Sequence, residues 1–299
     1  MEKYYDKVSI GSRIVNFIIK LTPYKKTSDT EEAAKIFINK IKNKKFVNRK
    51  SYKLNKEEPI NNMNVYSYNG SLNDIKDGIL LYVHGGSFVE NANYFQIRFA
   101  EKVALKTNMT LIFADYPLAP VSNCKEMLEL FLQLYKKILD YNKDIYFLGD
   151  SAGGGFVISL ASYAKNNNLH LPKKIIALSP WLDISLSDES IYQDAKSDNM
   201  CGVDGTKYMG KIWASDIDLK NPLISPLYLN DFNIGEITII TGGYDILRSQ
   251  CMKLNYILNE KNIKHNYIFY KNQGHVFGIL PHKEGKILIS DIIGIIKED

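Results

Sequence analysis

The sequence predicts an α/β fold: a mostly parallel sheet of eight strands with helices on both faces. Three observations predict it. From about residue 50, short runs rich in β-branched and aromatic residues alternate with longer stretches of helical periodicity. Four of the runs, ILLYV, TLIFA, IYFL and IIAL, are almost continuously apolar, as strands covered on both faces must be. The chain has 299 residues, 45% of them hydrophobic, which is enough to bury one large core or two smaller ones.

The elements follow in chain order. In residues 8–21, Ile10, Ile14, Phe17, Ile18 and Leu21 recur at helical spacing and predict an amphipathic helix packed on the domain. Lysines at both ends of that segment leave a membrane-surface helix as the alternative. Arg13, Asn16 and Lys20 interrupt its apolar character and no cleavage site follows, so it does not read as an export signal. Strands are expected at 51–54, 63–68, 79–83, 110–114, 145–148, 174–178, 236–241 and 266–270, the first two antiparallel. Helices are expected near 94–107, 124–140, 152–165, 246–261 and 284–297. Between Trp181 and Pro222 no strand candidate appears and aspartates accumulate. So long an interval reads as a small helical excursion or lid. The expected organisation is an N-terminal helical region over 1–50 and a domain over 51–299 carrying an insert at about 182–220.

Composition excludes several functions. Only four of the 38 basic residues are arginine, and the lysines are scattered, so the net charge of +5 is not a nucleic-acid footprint. No apolar run reaches the roughly 18 to 20 residues that span a bilayer, so no integral membrane segment is expected. Cys124, Cys201 and Cys251 are too few and too far apart for a disulfide framework or a metal site. A reducing, cytoplasmic setting fits them best.

The chemistry begins at Gly149-Asp150-Ser151-Ala152-Gly153, between the run IYFL and a helix. A G-x-S-x-G sequence at a strand-to-helix turn projects a serine above the strand ends, and a strained turn requires small neighbours. Such a turn could also cradle phosphate, but neither G-x-x-x-x-G-K-[ST] nor G-x-G-x-x-G occurs. Upstream, His84-Gly85-Gly86-Ser87-Phe88 follows ILLYV. Its paired glycines serve a tight turn after a strand, or let backbone N–H groups approach a substrate oxygen and, with the N–H of Ala152, form an oxyanion hole. Of five histidines, His275 alone sits in a loop after the last strand, where a base could reach over the strand ends. Asp245 follows the penultimate strand, with Asp183 as the alternative carboxylate on a less suitable strand. The order Ser151, Asp245, His275 is that of α/β-hydrolases and differs from the orders of the trypsin and subtilisin types.

HGGSF, DYPLAP (115–120), GDSAGG (149–154), LSPW (178–181), NPLISPL (221–227), YDIL (244–247) and GH (274–275) occur in sequence from about residue 60 onward. In this combination the chain resembles the hormone-sensitive-lipase-like carboxylesterases and acetyl esterases. The resemblance implies an α/β-hydrolase with a helical cap built from the N-terminal region and the 182–220 insert. It implies a serine carboxylesterase of short-acyl esters, with Ser151 as nucleophile, His275 as base, Asp245 orienting it, and Gly85, Gly86 and Ala152 as oxyanion donors. It also implies no cofactor and no metal, a small-molecule ester as the partner, and a homodimer through the strand near 266–270. The chain departs from the family pattern at Ser87 (often glycine), Val121 (usually glutamate) and Gly155 (commonly asparagine). The alternatives are a deacetylase or amide/formamide hydrolase on the same site, a non-catalytic ligand-binding homologue, and an interaction scaffold on the N-terminal helix.

Overall fold

A computed structural model describes residues 1–298. Nine strands form one sheet: β1 (Glu2–Tyr5), β2 (Asn55–Lys56), β3 (Asn64–Tyr68), β4 (Ile79–Val83), β5 (Thr110–Asp115), β6 (Ile145–Asp150), β7 (Lys174–Leu178), β8 (Glu236–Tyr244) and β9 (His265–Gly274). Their spatial order is β1-β9-β8-β7-β6-β4-β5-β3-β2. From β1 to β5 every neighbouring pair is parallel, and β3 and β2 close one edge antiparallel. Alternation along β4 shows why its whole run is apolar. Ile79, Leu81 and Val83 face one core, while Leu80 and Tyr82 face the other.

The first core is covered by α4 (Cys124–Leu139), α5 (Ala152–Asn166) and α8 (Arg248–Glu260), and the second by α3 (Tyr94–Thr107) and α9 (Lys283–Lys297). Asn93 starts α3 with a reciprocal capping box to Gln96, and Asn123 caps α4. Four further helices lie outside this layer arrangement: α1 (Ile10–Leu21), α2 (Glu31–Ile41), α6 (Ile191–Ser197) and α7 (Val203–Ala214). α2 packs on α7, where the backbone of Ser28 approaches Gly205 so closely that a Cβ there would lie 2.6 Å away.

Four expectations are corrected. The sheet has nine strands and not eight, because β1 pairs in parallel with β9. The segment near 266–270 is therefore not an edge, and an edge-to-edge dimer through it is closed off. The strand expected at 51–54 is a 3₁₀ turn over Lys50–Tyr52, anchored by buried Tyr52 and ended by Lys53 in the left-handed region; the pairing begins only at Asn55. The helix expected within 8–21 is present as α1, but Ser12 is its one buried residue, and Ile10, Ile14, Phe17, Ile18 and Leu21 are exposed. Among the described residues no helix is long and apolar enough to cross a membrane.

Candidate active site

Ser151 sits between β6 and α5 at φ 54°, ψ −122°, a conformation a non-glycine residue adopts only under constraint. Its neighbours impose that constraint. A Cβ on Gly149 would lie 2.4 Å from the Gly153 carbonyl oxygen, and one on Gly153 would lie 2.1 Å from that of Val83. Only glycine lets β4, β6 and the start of α5 converge here. The Ser151 N–H donates to the Leu178 carbonyl (2.8 Å), and the Ser151 carbonyl accepts from Trp181 (3.0 Å), so the strained residue is pinned on both sides.

His275 follows β9 and lies over the strand ends. Its Nε2 is 2.9 Å from Ser151 Oγ and its Nδ1 is 2.9 Å from Asp245 Oδ1. Both side chains are almost wholly buried. Burial alone raises the Asp245 pKa, but the facing imidazole and hydrogen bonds from Ser179 and the Leu247 N–H hold it below its ordinary value. The carboxylate therefore accepts from Nδ1–H, which leaves the Nε2 lone pair facing the serine hydroxyl. Burial pushes the His275 pKa down, yet the carboxylates of Asp245, Asp198 and Asp150 outweigh it and raise it well above the usual imidazole range. The alternative carboxylate, Asp183, is spent elsewhere. Its two oxygens accept from Ser185, Ser187 and Tyr228 and hold the loop after β7.

The loop after β4 is tied to the serine turn through Asp150. That buried carboxylate accepts from Tyr82 Oη, Gln96 Nε2 (2.8 Å) and the Gly85 N–H (3.2 Å). Gly85 is therefore not free to serve as an oxyanion donor, which corrects the expectation for that residue. The N–H groups of Gly86, Ser87 and Ala152 have no partner among the described residues, and all three residues lie beside Ser151 in sequence or line its cleft. Ser87 and Phe88 both take positive φ (51° and 61°). The Phe88 ring stacks on Trp213 of α7 at 3.6 Å between centroids, fastening this loop to the helices outside the sheet.

Sequence reasoning missed Asp198. It lies just past α6, fully buried, and accepts from the N–H groups of Met200, Cys201 and Ile246, the last at 2.8 Å. It thus braces the turn that carries Asp245. Nothing in the local sequence separates it from the other aspartates of the insert. Asp198, Asp245 and His275 each offer one atom within 4.8 Å of the others, the one such group among the described residues. Their oxygens already hold backbone N–H groups and imidazole, so the cluster reads as a hydrogen-bonded support and not as a metal cradle. Two other histidines are structural: His84, its pKa lowered to about 4 by burial, stacks on Tyr116, and His282 caps α9.

Two clefts share His275 and Met200. The smaller, about 150 Å³, is lined by Gly86, Ser87, Ser151, Glu90, Cys201 and Met209. The larger, about 630 Å³, is bounded by Arg13, Asn16 and Lys20 of α1, Lys196 and Asn199 near α6, and Tyr244 and Asn272 at the strand ends.

With a serine turn after β6, a carboxylate after β8 and an imidazole after β9 of such a sheet, the class is that of α/β-hydrolases. The family model described as alpha/beta hydrolase fold matches residues 80–279, and the chain belongs to that family. It is 24% identical over 220 residues to an esterase of Acinetobacter venetianus, covering 72% of this chain and 73% of the relative. It is 24% identical over 177 residues to a triacylglycerol lipase of Mycobacterium tuberculosis, where the match spans 58% of this chain and 36% of that protein. Among solved structures, a hormone-sensitive lipase from a metagenome library superposes with a TM-score of 0.78 at 21% identity, over 97% of this chain and 99% of that one, and so shares the fold.

Proposed function

We propose that the protein is a serine carboxylesterase acting on short-acyl esters through a Ser151–His275–Asp245 triad. The observation that carries this reading is the single imidazole 2.9 Å from both the serine oxygen and the carboxylate. Ser151 Oγ attacks the ester carbonyl as its proton passes to His275 Nε2. The oxyanion is held by the N–H groups of Gly86, Ser87 and Ala152, and the imidazolium by Asp245. His275 then protonates the departing alcohol, and water repeats the sequence to release the acid. A short acyl group is favoured by the roughly 150 Å³ beside Ser151, below the common range of about 300 to 1,000 Å³ for ligand pockets. α1, α2, α6 and α7 form the cap over this chemistry, with the sheet and its flanking helices as the catalytic domain. No metal or cofactor takes part, and the setting is cytoplasmic.

The test is turnover of a p-nitrophenyl ester series from acetate to decanoate, alongside labelling by a fluorophosphonate. Wild type should prefer the short end and label at Ser151. Ser151→Ala should lose label and at least about 10⁴-fold in kcat. Comparable turnover by that variant, or no adduct on the native protein, overturns the assignment.

A further inference from the structure

α1 is inverted relative to an ordinary surface helix. Its inward side is polar: Ser9, the N-cap, bonds Glu284 through Oγ (2.8 Å), Ser12 Oγ donates to Gln273 (2.9 Å), and Asn16 lies against Gly274. Its outward side carries Ile10, Ile14, Phe17, Ile18 and Leu21 along one face, with Ile10 76%, Phe17 62% and Leu21 70% exposed. Burying side chains of this kind is worth about 1.5–3 kcal/mol each, so a soluble fold has every reason to turn the helix the other way.

We propose that this face docks the protein on an anionic lipid surface, lying in the headgroup layer with its axis along the membrane plane. Charge complementarity selects the occupant. From Lys7 to Ser28 the chain carries Lys7, Arg13, Lys20, Lys25 and Lys26 and no acidic residue; the flanking acids are Asp6 and Asp29. Lys25 is engaged by the carbonyls of Ala195 and Asp198. Arg13 and Lys20 have no carboxylate partner among the described residues, and they line the larger cleft together with Lys196. An apolar stripe flanked by unpaired cations is the signature of an interfacial helix. A second copy of the chain fits less well. Two such faces meeting would bring like charges together, and one helix face offers far fewer than the roughly 20 to 30 residues a side of a stable interface.

The experiment is flotation with vesicles of equal parts phosphatidylcholine and phosphatidylglycerol, and with phosphatidylcholine alone. Ser151→Ala is run beside wild type, so binding is read without turnover and stands apart from the esterase assignment. Wild type and Ser151→Ala should float with the anionic vesicles at least tenfold better than with neutral ones, and lose that preference in high salt. The double variant Ile14→Ser/Phe17→Ser should lose at least tenfold in vesicle binding while p-nitrophenyl acetate turnover and circular dichroism stay at wild-type values. No binding to anionic vesicles, undiminished binding by the double variant, or a dimer in solution that this variant dissociates overturns the proposal.

Discussion

The turn around Ser151 and helix α1 begin from equally clear local patterns and end differently. At the turn, carbonyl oxygens of neighbouring segments pass within about 2 Å of where a side chain would begin, so sequence and structure are locked position by position. At α1, helical periodicity fixes the helix but not the face it buries. That choice falls to Glu284 and Gln273, buried acceptors on another part of the chain whose loss of a partner costs about 1–3 kcal/mol each. Close backbone approach makes a motif legible. A surface helix is decided by groups distant in sequence.

Substitutions at Gly155 should give the largest effect and the sharpest form of this contrast. A Cβ there would lie 1.8 Å from the Trp181 carbonyl oxygen. Gly155→Ala should therefore cost on the order of 3 kcal/mol or more in urea unfolding, whereas Phe17→Ala on the exposed face of α1 should stay within about 0.5 kcal/mol of wild type. Equal losses at the two sites would dissolve the contrast.

Asp198 gives the next effect, on activity. In the proposed mechanism His275 acts only as neutral imidazole, and the surrounding carboxylates raise its pKa, so activity should climb with pH through an acid limb above 6.5, the ordinary histidine value. Asp198→Asn removes one of those charges, lowers the His275 pKa and should move the limb to lower pH, with about a tenfold loss in kcat from the loosened Asp245 turn. An unmoved pH profile would leave Asp198 a purely structural brace.

Ser87 gives the smallest effect. It holds φ +51° where the resembling family often has glycine. Ser87→Gly relieves that strain and should stabilise the protein by about 1 kcal/mol, read as a raised urea midpoint at unchanged slope. A drop in stability would mean that the hydroxyl contributes more than the backbone strain costs.

These cases mark how far the sequence could be read. The strands β4 to β7 were legible because strands buried on both faces must be apolar throughout, and the positions of Ser151, Asp245 and His275 because each stands in a turn or loop after a strand. β1 was not. Four residues with alternating exposure, paired to a strand more than 260 positions away, leave no local signal. Asp198 was hidden among the aspartates of its insert, since only the fold brings it to the Ile246 N–H. The role of Gly85 turned on whether its N–H was free, and the Asp150 carboxylate that occupies it is 65 residues away.

The stacking of Phe88 on Trp213 bears on how such a protein can be altered. The loop that presents the backbone donors and the helix that shapes the room above them are held by one pair of rings. Selectivity and rate are then not separable modules. A graft that replaces α7 to admit a bulkier substrate also releases the loop, and every redesign of the cover has to rebuild that aromatic fastening before its turnover can be compared with the parent.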